Sequence, residues 1–269
     1  RFIITYNGEI YNHIEIRKKI NKETNYIWKS SSDTETILAS LEIYGFKKTI
    51  SSLQGMFAFG LIDKLEKKLY LARDSSGEKP LYYGLINENF IFGSELKSIV
   101  KFPLFKKKIN MEALNYYLNF SFVPEPYSIF ENINKLEKSS YLKFDLENQK
   151  ILSLNKYHAV NNFNIKFSKT NYLDSLDKIL NNSVKIAMTS DVEVGSFLSG
   201  GTDSSLITSI MSANSNSRIK TFSVGLDDPN YDERMYSSSI AKYLGTDHNE
   251  IVLKERDLLN QTKDIVDIY

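Results

Sequence analysis

No cysteine occurs among the 269 residues. Disulfides and thiolate metal sites are therefore excluded within this chain, and so is a thiol nucleophile. Neither charge sign is in excess: 34 Lys and Arg stand against 33 Asp and Glu, a formal net charge of +1. A nucleic-acid binder usually carries a basic surplus on one face. The longest basic run, Lys106-Lys107-Lys108, follows an apolar segment and reads as a solvated loop. No apolar run reaches the roughly 18 residues that a membrane-spanning helix needs. No signal-peptide pattern, internal repeat or low-complexity block is visible.

What the chain does have is core material. Hydrophobic residues make up 42% and aromatic residues 13%, with 17 Tyr and 16 Phe. That supply argues against disorder and for sheet packing, because aromatic rings suit pleated surfaces. The chain starts at Arg1 within an apparent strand and stops at Tyr269 within a helical pattern. It is expected to be an internal piece of a longer polypeptide, so a missing targeting segment or cysteine would not show here.

The hydrophobic pattern divides the sequence in two. In the first part Phe2–Tyr6 reads as a strand ended by a turn at Asn7-Gly8. Ile14, Ile16 and Ile20 mark a short helix, and Tyr26–Trp28 a further strand. Ser32-Asp33-Thr34-Glu35 has capping-box form ahead of a helix through Ile37, Leu38, Leu41 and Tyr44, closed by Gly45. Met56–Ile62 with Lys68–Ala72, and Pro80–Ile86 with Phe90–Phe92, read as antiparallel hairpins. Glu95–Val100 and Met111–Asn119 are expected helices. Val123–Asn155 reads as extended pieces wrapping a surface.

The character changes near Phe163. Tyr172, Leu173, Leu176, Ile179, Leu180 and Ala187 form a helical stripe, and Val192–Leu198 a strand. A helix over Asp203–Ala213 turns Leu206, Ile207 and Ile210 inward. Strands at Thr221–Val224 and Glu250–Leu253 flank a helix at Tyr231–Leu244, and another helix begins at Arg256. This alternation predicts a parallel sheet with crossover helices. The expected domains are residues 1–165, α+β and antiparallel, and residues 166–269, α/β and parallel.

Two segments carry chemistry. The string Val194-Gly-Ser-Phe-Leu-Ser-Gly-Gly-Thr-Asp-Ser-Ser205 runs from an apolar strand through Ser199-Gly200-Gly201 into a helix. Glycines admit an anion close to the backbone, and helix-start amides with the hydroxyls of Ser199, Ser204 and Ser205 can meet phosphate oxygens. It is no Walker loop, since no Gly-Lys-Ser/Thr follows. Asp203 beside phosphates makes sense if Mg²⁺ lies between them. The plain alternative is a capped strand–helix turn. The second segment is Asn7-Gly8-Glu9-Ile10-Tyr11-Asn12. The Asn7 amide and the Gly8 N–H can form an oxyanion hole, while Glu9 and Asp33 can hold an ammonium group. The alternatives are a hairpin turn at Asn7-Gly8 and a dipole-favoured helix-start acid at Asp33. Asp227-Asp228 with Asp232-Glu233 could suggest a cation site but reads better as an acidic loop and helix start. His158 reads as structural, and His248 is given no chemistry.

The first string, followed by Thr221-Phe-Ser-Val-Gly225, resembles the SGGxDSS loop of N-type ATP-pyrophosphatases. Thr202 stands where that family usually has an aliphatic residue. The second, with His13, resembles the NGEIYNH motif of class II glutamine amidotransferases. Further matches are Leu53-Gln-Gly-Met-Phe-Ala-Phe59, Ala72-Arg-Asp74 with Gly77, Lys79-Pro-Leu-Tyr-Tyr83 and Ser94-Glu-Leu-Lys97. In order and spacing the whole set is similar to the glutamine-hydrolysing asparagine synthetase family, over nearly the whole chain. The resemblance implies a truncated N-terminal-nucleophile glutaminase sandwich, then a truncated domain like the adenine-nucleotide alpha hydrolases. It implies Asn7 and Gly8 at the oxyanion and Glu9 and Asp33 on glutamine's amino acid end. For ATP it implies Leu198, Ser199, Gly200, Gly201, Asp203, Ser204, Ser205 and Val224, with Asp203 serving Mg²⁺ through pyrophosphate.

It further implies glutamine, aspartate and ATP as substrates, and a cytoplasmic enzyme that is often dimeric. The nucleophilic cysteine is expected several dozen residues before Arg1, and a catalytic glutamate beyond Tyr269. This chain alone is expected not to hydrolyse glutamine or make asparagine. Alternatives are a related amidotransferase acting on a sugar acid in surface polysaccharide synthesis, or one closing a β-lactam ring. A PP-loop tRNA-modifying protein and a non-catalytic remnant are others. Net charge and the absence of cysteine speak against the tRNA enzyme.

Overall fold

A computed structural model describes residues 1–158, 172–190, 192–228 and 232–254. The chain divides into two compact units, Arg1–Phe163 and Asn164–Tyr269. The boundary expected at 165/166, the expected helix from Arg256 and the expected helix start at Tyr231 lie outside the described residues.

In the first unit β1 (Phe2–Ile10) leads to α1 (His13–Glu23), α2 (Asp33–Tyr44) and α3 (Phe46–Ser52). The hairpins β2 (Gly55–Asp63) with β3 (Lys68–Arg73), and β4 (Tyr82–Ile86) with β5 (Asn89–Gly93), follow. Then come α4 (Leu96–Val100), α5 (Met111–Phe120), β6 (Ile133–Lys135), β7 (Ser140–Asp145) and β8 (Lys150–Lys156). Two antiparallel sheets result, in the orders β1-β2-β3-β7-β8 and β5-β4-β6.

The larger sheet is buried on both faces. Phe57, Phe59, Leu61, Tyr70 and Ala72 pack with Ile16, Ile20, Ile37 and Ile50 of the helices. The alternate residues Ala58, Leu69, Leu71, Leu142 and Phe144 pack with Leu81 and Tyr83 beside the smaller sheet. This two-sided burial is why β2 is apolar without alternation.

Several expectations are corrected. Asn7-Gly8 is not a turn: β1 passes straight through it, with Asn7 opposite Ala58 and Gly8 opposite Phe57. Nine paired positions outweigh the local turn preference, and the chain reverses after Ile10 instead. Tyr26–Trp28 forms no strand. Its rings tilt together at 4.6 Å, and Arg17 lies 4.1 Å above the Trp28 ring. The capping box closes differently as well. Ser32 Oγ accepts the Thr34 N–H, whereas Glu35 accepts the N–H groups of Lys29 and Ser30 and so caps the loop before the helix. The stretch Val123–Asn155 does not merely wrap a surface. It supplies β6, β7 and β8, and Leu142 and Phe144 of β7 are core residues. Helix α3 was not foreseen.

In the second unit α6 (Tyr172–Ala187), β9 (Gly195–Phe197), α7 (Thr202–Asn214), β10 (Lys220–Leu226), α8 (Arg234–Leu244) and β11 (Asp247–Leu253) build a parallel sheet ordered β11-β10-β9. Its small core joins Val184, Ile210, Met211 and Ile219 with Leu180 and Met188. The predicted inward face of α7 is rotated. Leu206 is 45% and Ile207 37% exposed, while Thr208, Ile210 and Met211 are buried. Buried Thr208 is satisfied there, its hydroxyl meeting Ser196 Oγ at 2.9 Å and the carbonyl of Ser204 one turn back at 2.8 Å. The α6 stripe is likewise mostly exposed at Tyr172, Leu173, Leu176 and Ile179. That helix packs through Leu180 and Val184, with Met188 just past its end.

Candidate functional site

The first site grows from the end of β1. Phe57, opposite Gly8, gives its N–H to Asp74 Oδ2 at 3.2 Å and takes the Asp74 N–H on its carbonyl at 2.8 Å. Both bonds lie on the side of β2 away from β1. Gly8 and Phe57 are thus a non-hydrogen-bonded pair, and the Gly8 N–H points outward from β1. Among the described residues β1 is an edge strand. Two residues on, the Ile10 N–H points the same way and is taken by Asp33 Oδ2 at 2.9 Å. Glycine is required by close approach: a Cβ at position 8 would stand 2.2 Å from the Met56 carbonyl oxygen.

Asn7 projects to the opposite face from Tyr6. Its Nδ2 donates to Ser94 Oγ at 3.2 Å, and it lines a cavity of about 260 Å³ with Thr5, Phe92, Gly93 and Ser94. Asp33 begins α2, and its Oδ2 also accepts the Tyr6 hydroxyl at 2.6 Å. Burial first, and then the Asp33 carboxylate, hold the Tyr6 phenol well above its usual pKa. The structure therefore gathers Asn7, Gly8, Glu9 and Asp33 around one strand end.

The backing of this site went unassigned in the sequence. Asp74 is buried and accepts four N–H groups, from Ser76 and Glu78 on Oδ1 and from Lys79 and Phe57 on Oδ2. Buried Arg73 pairs with Glu125 and donates to the carbonyls of Gly77, Lys79 and Leu136. The string Ala72-Arg-Asp74 with Gly77 was the signal. His13 keeps Nδ1 buried without a hydrogen-bond partner.

The second site is the glycine loop between β9 and α7. Gly200 has φ +84°, and a Cβ there would stand 2.5 Å from Tyr236 Cβ and 2.7 Å from the Ser237 nitrogen. The loop is thereby pressed onto the start of α8. Gly201 is exposed, and a Cβ there would meet Ser199 Oγ at an ordinary 3.4 Å. Ser199 and Ser204 join their hydroxyls at 3.0 Å. Gly201 is the N-cap of α7 and offers no side-chain cap, so the first-turn amides remain for another acceptor. Ser205 Oγ is buried with no hydrogen-bond partner. These features fit an oxyanion such as a phosphate group.

Asp203 is exposed in the first turn of α7. Among the described residues no cluster of three His, Cys, Asp or Glu could hold a metal. A cation at Asp203 would need phosphate oxygens as its other ligands. Leu198 is buried, while Val224 is 53% exposed on the face of β10 opposite Thr221 and Ser223. Asp232 is committed to Arg234 at 2.7 Å. His248 meets Thr221, Ser223 and Glu250.

A family model described as a glutamine amidotransferase domain matches residues 1–158. The chain belongs to the glutamine amidotransferase domain family. A second model, described as asparagine synthase, matches residues 175–269. A candidate glutamine-hydrolyzing asparagine synthetase 2 of Methanocaldococcus jannaschii is 38% identical over 99% of this chain and 50% of that protein. Glutamine-hydrolyzing asparagine synthetase 1 of Bacillus subtilis is 36% identical over 98% of this chain and 41% of its own length. The rat glutamine-hydrolyzing asparagine synthetase is 26% identical over 98% and 46%. The chain spans about half the length of the curated relatives it matches. A solved allosteric regulatory enzyme of purine biosynthesis aligns over 93% of this chain and 60% of its own, at TM-score 0.42 and 14% identity, too distant to bear on function. No helix among the described residues is long and apolar enough to cross a membrane.

Proposed function

We propose that this chain is part of an enzyme that makes asparagine from aspartate, ATP and ammonia released from glutamine. The outward Gly8 N–H beside the Asn7 amide carries the glutaminase half of this reading. Attack on the glutamine side-chain carbonyl puts negative charge on its oxygen, and two preorganised donors lower that barrier. Glu9 and Asp33 then hold the substrate's ammonium, and the one Asp33 oxygen fixed by Tyr6 and Ile10 sets the carboxylate's orientation. The attacking thiolate belongs to a cysteine this chain does not contain.

In the synthetase half the aspartate β-carboxylate attacks the α-phosphorus of ATP, pyrophosphate leaves and a β-aspartyl-adenylate forms. Ammonia adds to the acyl carbon and AMP leaves. The first-turn amides of α7 with Ser199, Gly200, Gly201, Ser204 and Ser205 hold the pyrophosphate, and Leu198 and Val224 lie by the nucleotide. Mg²⁺, when bound between Asp203 and the phosphates, supplies charge neutralisation. The parent enzyme is cytoplasmic and homodimeric in this reading.

Ammonia release from glutamine by the 269-residue chain is the first check. None is expected. A measurable rate that Asn7→Ala abolishes would contradict the assigned nucleophile.

A further inference from the structure

Lys135 lies on β6 directly opposite Tyr82 of β4. Its side chain reaches into a cavity of about 440 Å³ lined by Tyr82, Leu96, Tyr117, Phe122, Val123 and Ile129 among others. The lining is mostly aromatic and aliphatic, and Phe122 and Tyr117 stand more than half exposed at its walls. Among the described residues the Lys135 ammonium forms no ion pair, and it lies 5.9 Å from the centroid of the Tyr82 ring. The nearby carboxylate, Glu125, is already committed to buried Arg73 and to the Lys138 N–H. Burial first, and then the Arg73 charge, hold the Lys135 ammonium below its usual pKa, against a smaller opposing pull from Glu125. This is a half-buried cation without a counter-anion in an apolar hollow.

We propose that this cavity binds a small apolar monocarboxylate, with its carboxylate on the Lys135 ammonium and its hydrocarbon body against Tyr82, Tyr117 and Phe122. The volume falls in the range of small-molecule sites, roughly 300–1,000 Å³. One cation calls for one negative charge, and Glu125 disfavours a second. The mostly apolar lining offers few hydrogen-bond partners for the hydroxyls of a sugar or a nucleotide. The site shares no residue with the end of β1 or the glycine loop, so it stands apart from the amidotransferase reading.

The test titrates this chain with 3-phenylpropionate and with its neutral amide, 3-phenylpropanamide, by calorimetry. Saturable one-to-one binding of the acid is expected, with the amide weaker by about tenfold or more. Lys135→Met should weaken the acid by a similar factor and leave the amide unchanged, and Lys135→Arg should retain the acid. A circular dichroism spectrum checks that the variants fold, and the acid-to-amide ratio decides the matter on the unsubstituted protein. Absence of saturation overturns the proposal. So does equal affinity for acid and amide, which marks an apolar docking surface for protein.

Discussion

Asp33 Oδ2 accepts the Tyr6 hydroxyl at 2.6 Å, tying the start of α2 to the middle of β1. The same oxygen caps the Ile10 N–H at the sheet edge. Tyr6→Phe removes one bond to a charged acceptor and should lower stability by about 1.5–3 kcal/mol in urea unfolding. In the proposed function it should also weaken glutamine binding, because Asp33 loses a bond that orients it.

The same pair sets an alkaline limit. The Tyr6 phenol is raised in the folded state, so above about pH 10 an unfolded Tyr6 has lost its proton while the folded one keeps it. The unfolded state then binds fewer protons, and stability falls as pH rises. The contribution is intact below about pH 10. A unfolding series from pH 8 to pH 11 should show a shallower decline for Tyr6→Phe than for the wild type.

Asp74 gives a sharper loss. Asp74→Ala leaves the buried Phe57 N–H and the part-buried N–H groups of Ser76, Glu78 and Lys79 without their acceptor and should cost about 2–3 kcal/mol. Asp74→Asn keeps one acceptor oxygen and should fall between the two. Urea midpoints order the three proteins.

Neighbouring glycines should part company in their effects. Gly200→Ala drives a methyl into Tyr236 at a left-handed backbone angle and should destabilise the second unit by about 1–3 kcal/mol. Gly201→Ala meets little resistance in the fold, so its unfolding midpoint should barely move. In the proposed function the added methyl nevertheless stands where phosphate approaches, so ATP affinity should drop. Equilibrium ATP binding beside thermal melts separates the two.

Much of this was legible in the sequence because the deciding interactions are local or periodic. The β2–β3 and β4–β5 hairpins follow from apolar runs flanking turn residues, the helix stop from Gly45, and the parallel β9-β10-β11 pattern from strands spaced by helices. What was misread depends on partners that the local pattern does not name. Asn7-Gly8 has turn composition, and only the nine-residue pairing with β2 keeps it extended. Leu206 and Ile207 look like core by hydropathy, but α7 buries Ile210 and Met211 in the core, with Thr208 against Ser196. Glu35 sits at capping-box spacing, yet Lys29 and Ser30 offer it amides from the preceding loop. In the candidate site the sequence names Asn7 and Gly8, and the structure sets them side by side on β1. The supporting Asp74 was not legible, since its partners span residues 57 to 79.

The proposed function is tested most directly by glutamine hydrolysis in the parent enzyme it assigns, carrying Asn7→Ala, alongside asparagine synthesis from free ammonia. Glutamine turnover should fall about 10²–10³-fold with ammonia-dependent synthesis unchanged. Equal glutaminase rates in the two proteins, or a parallel loss of both activities, would contradict it.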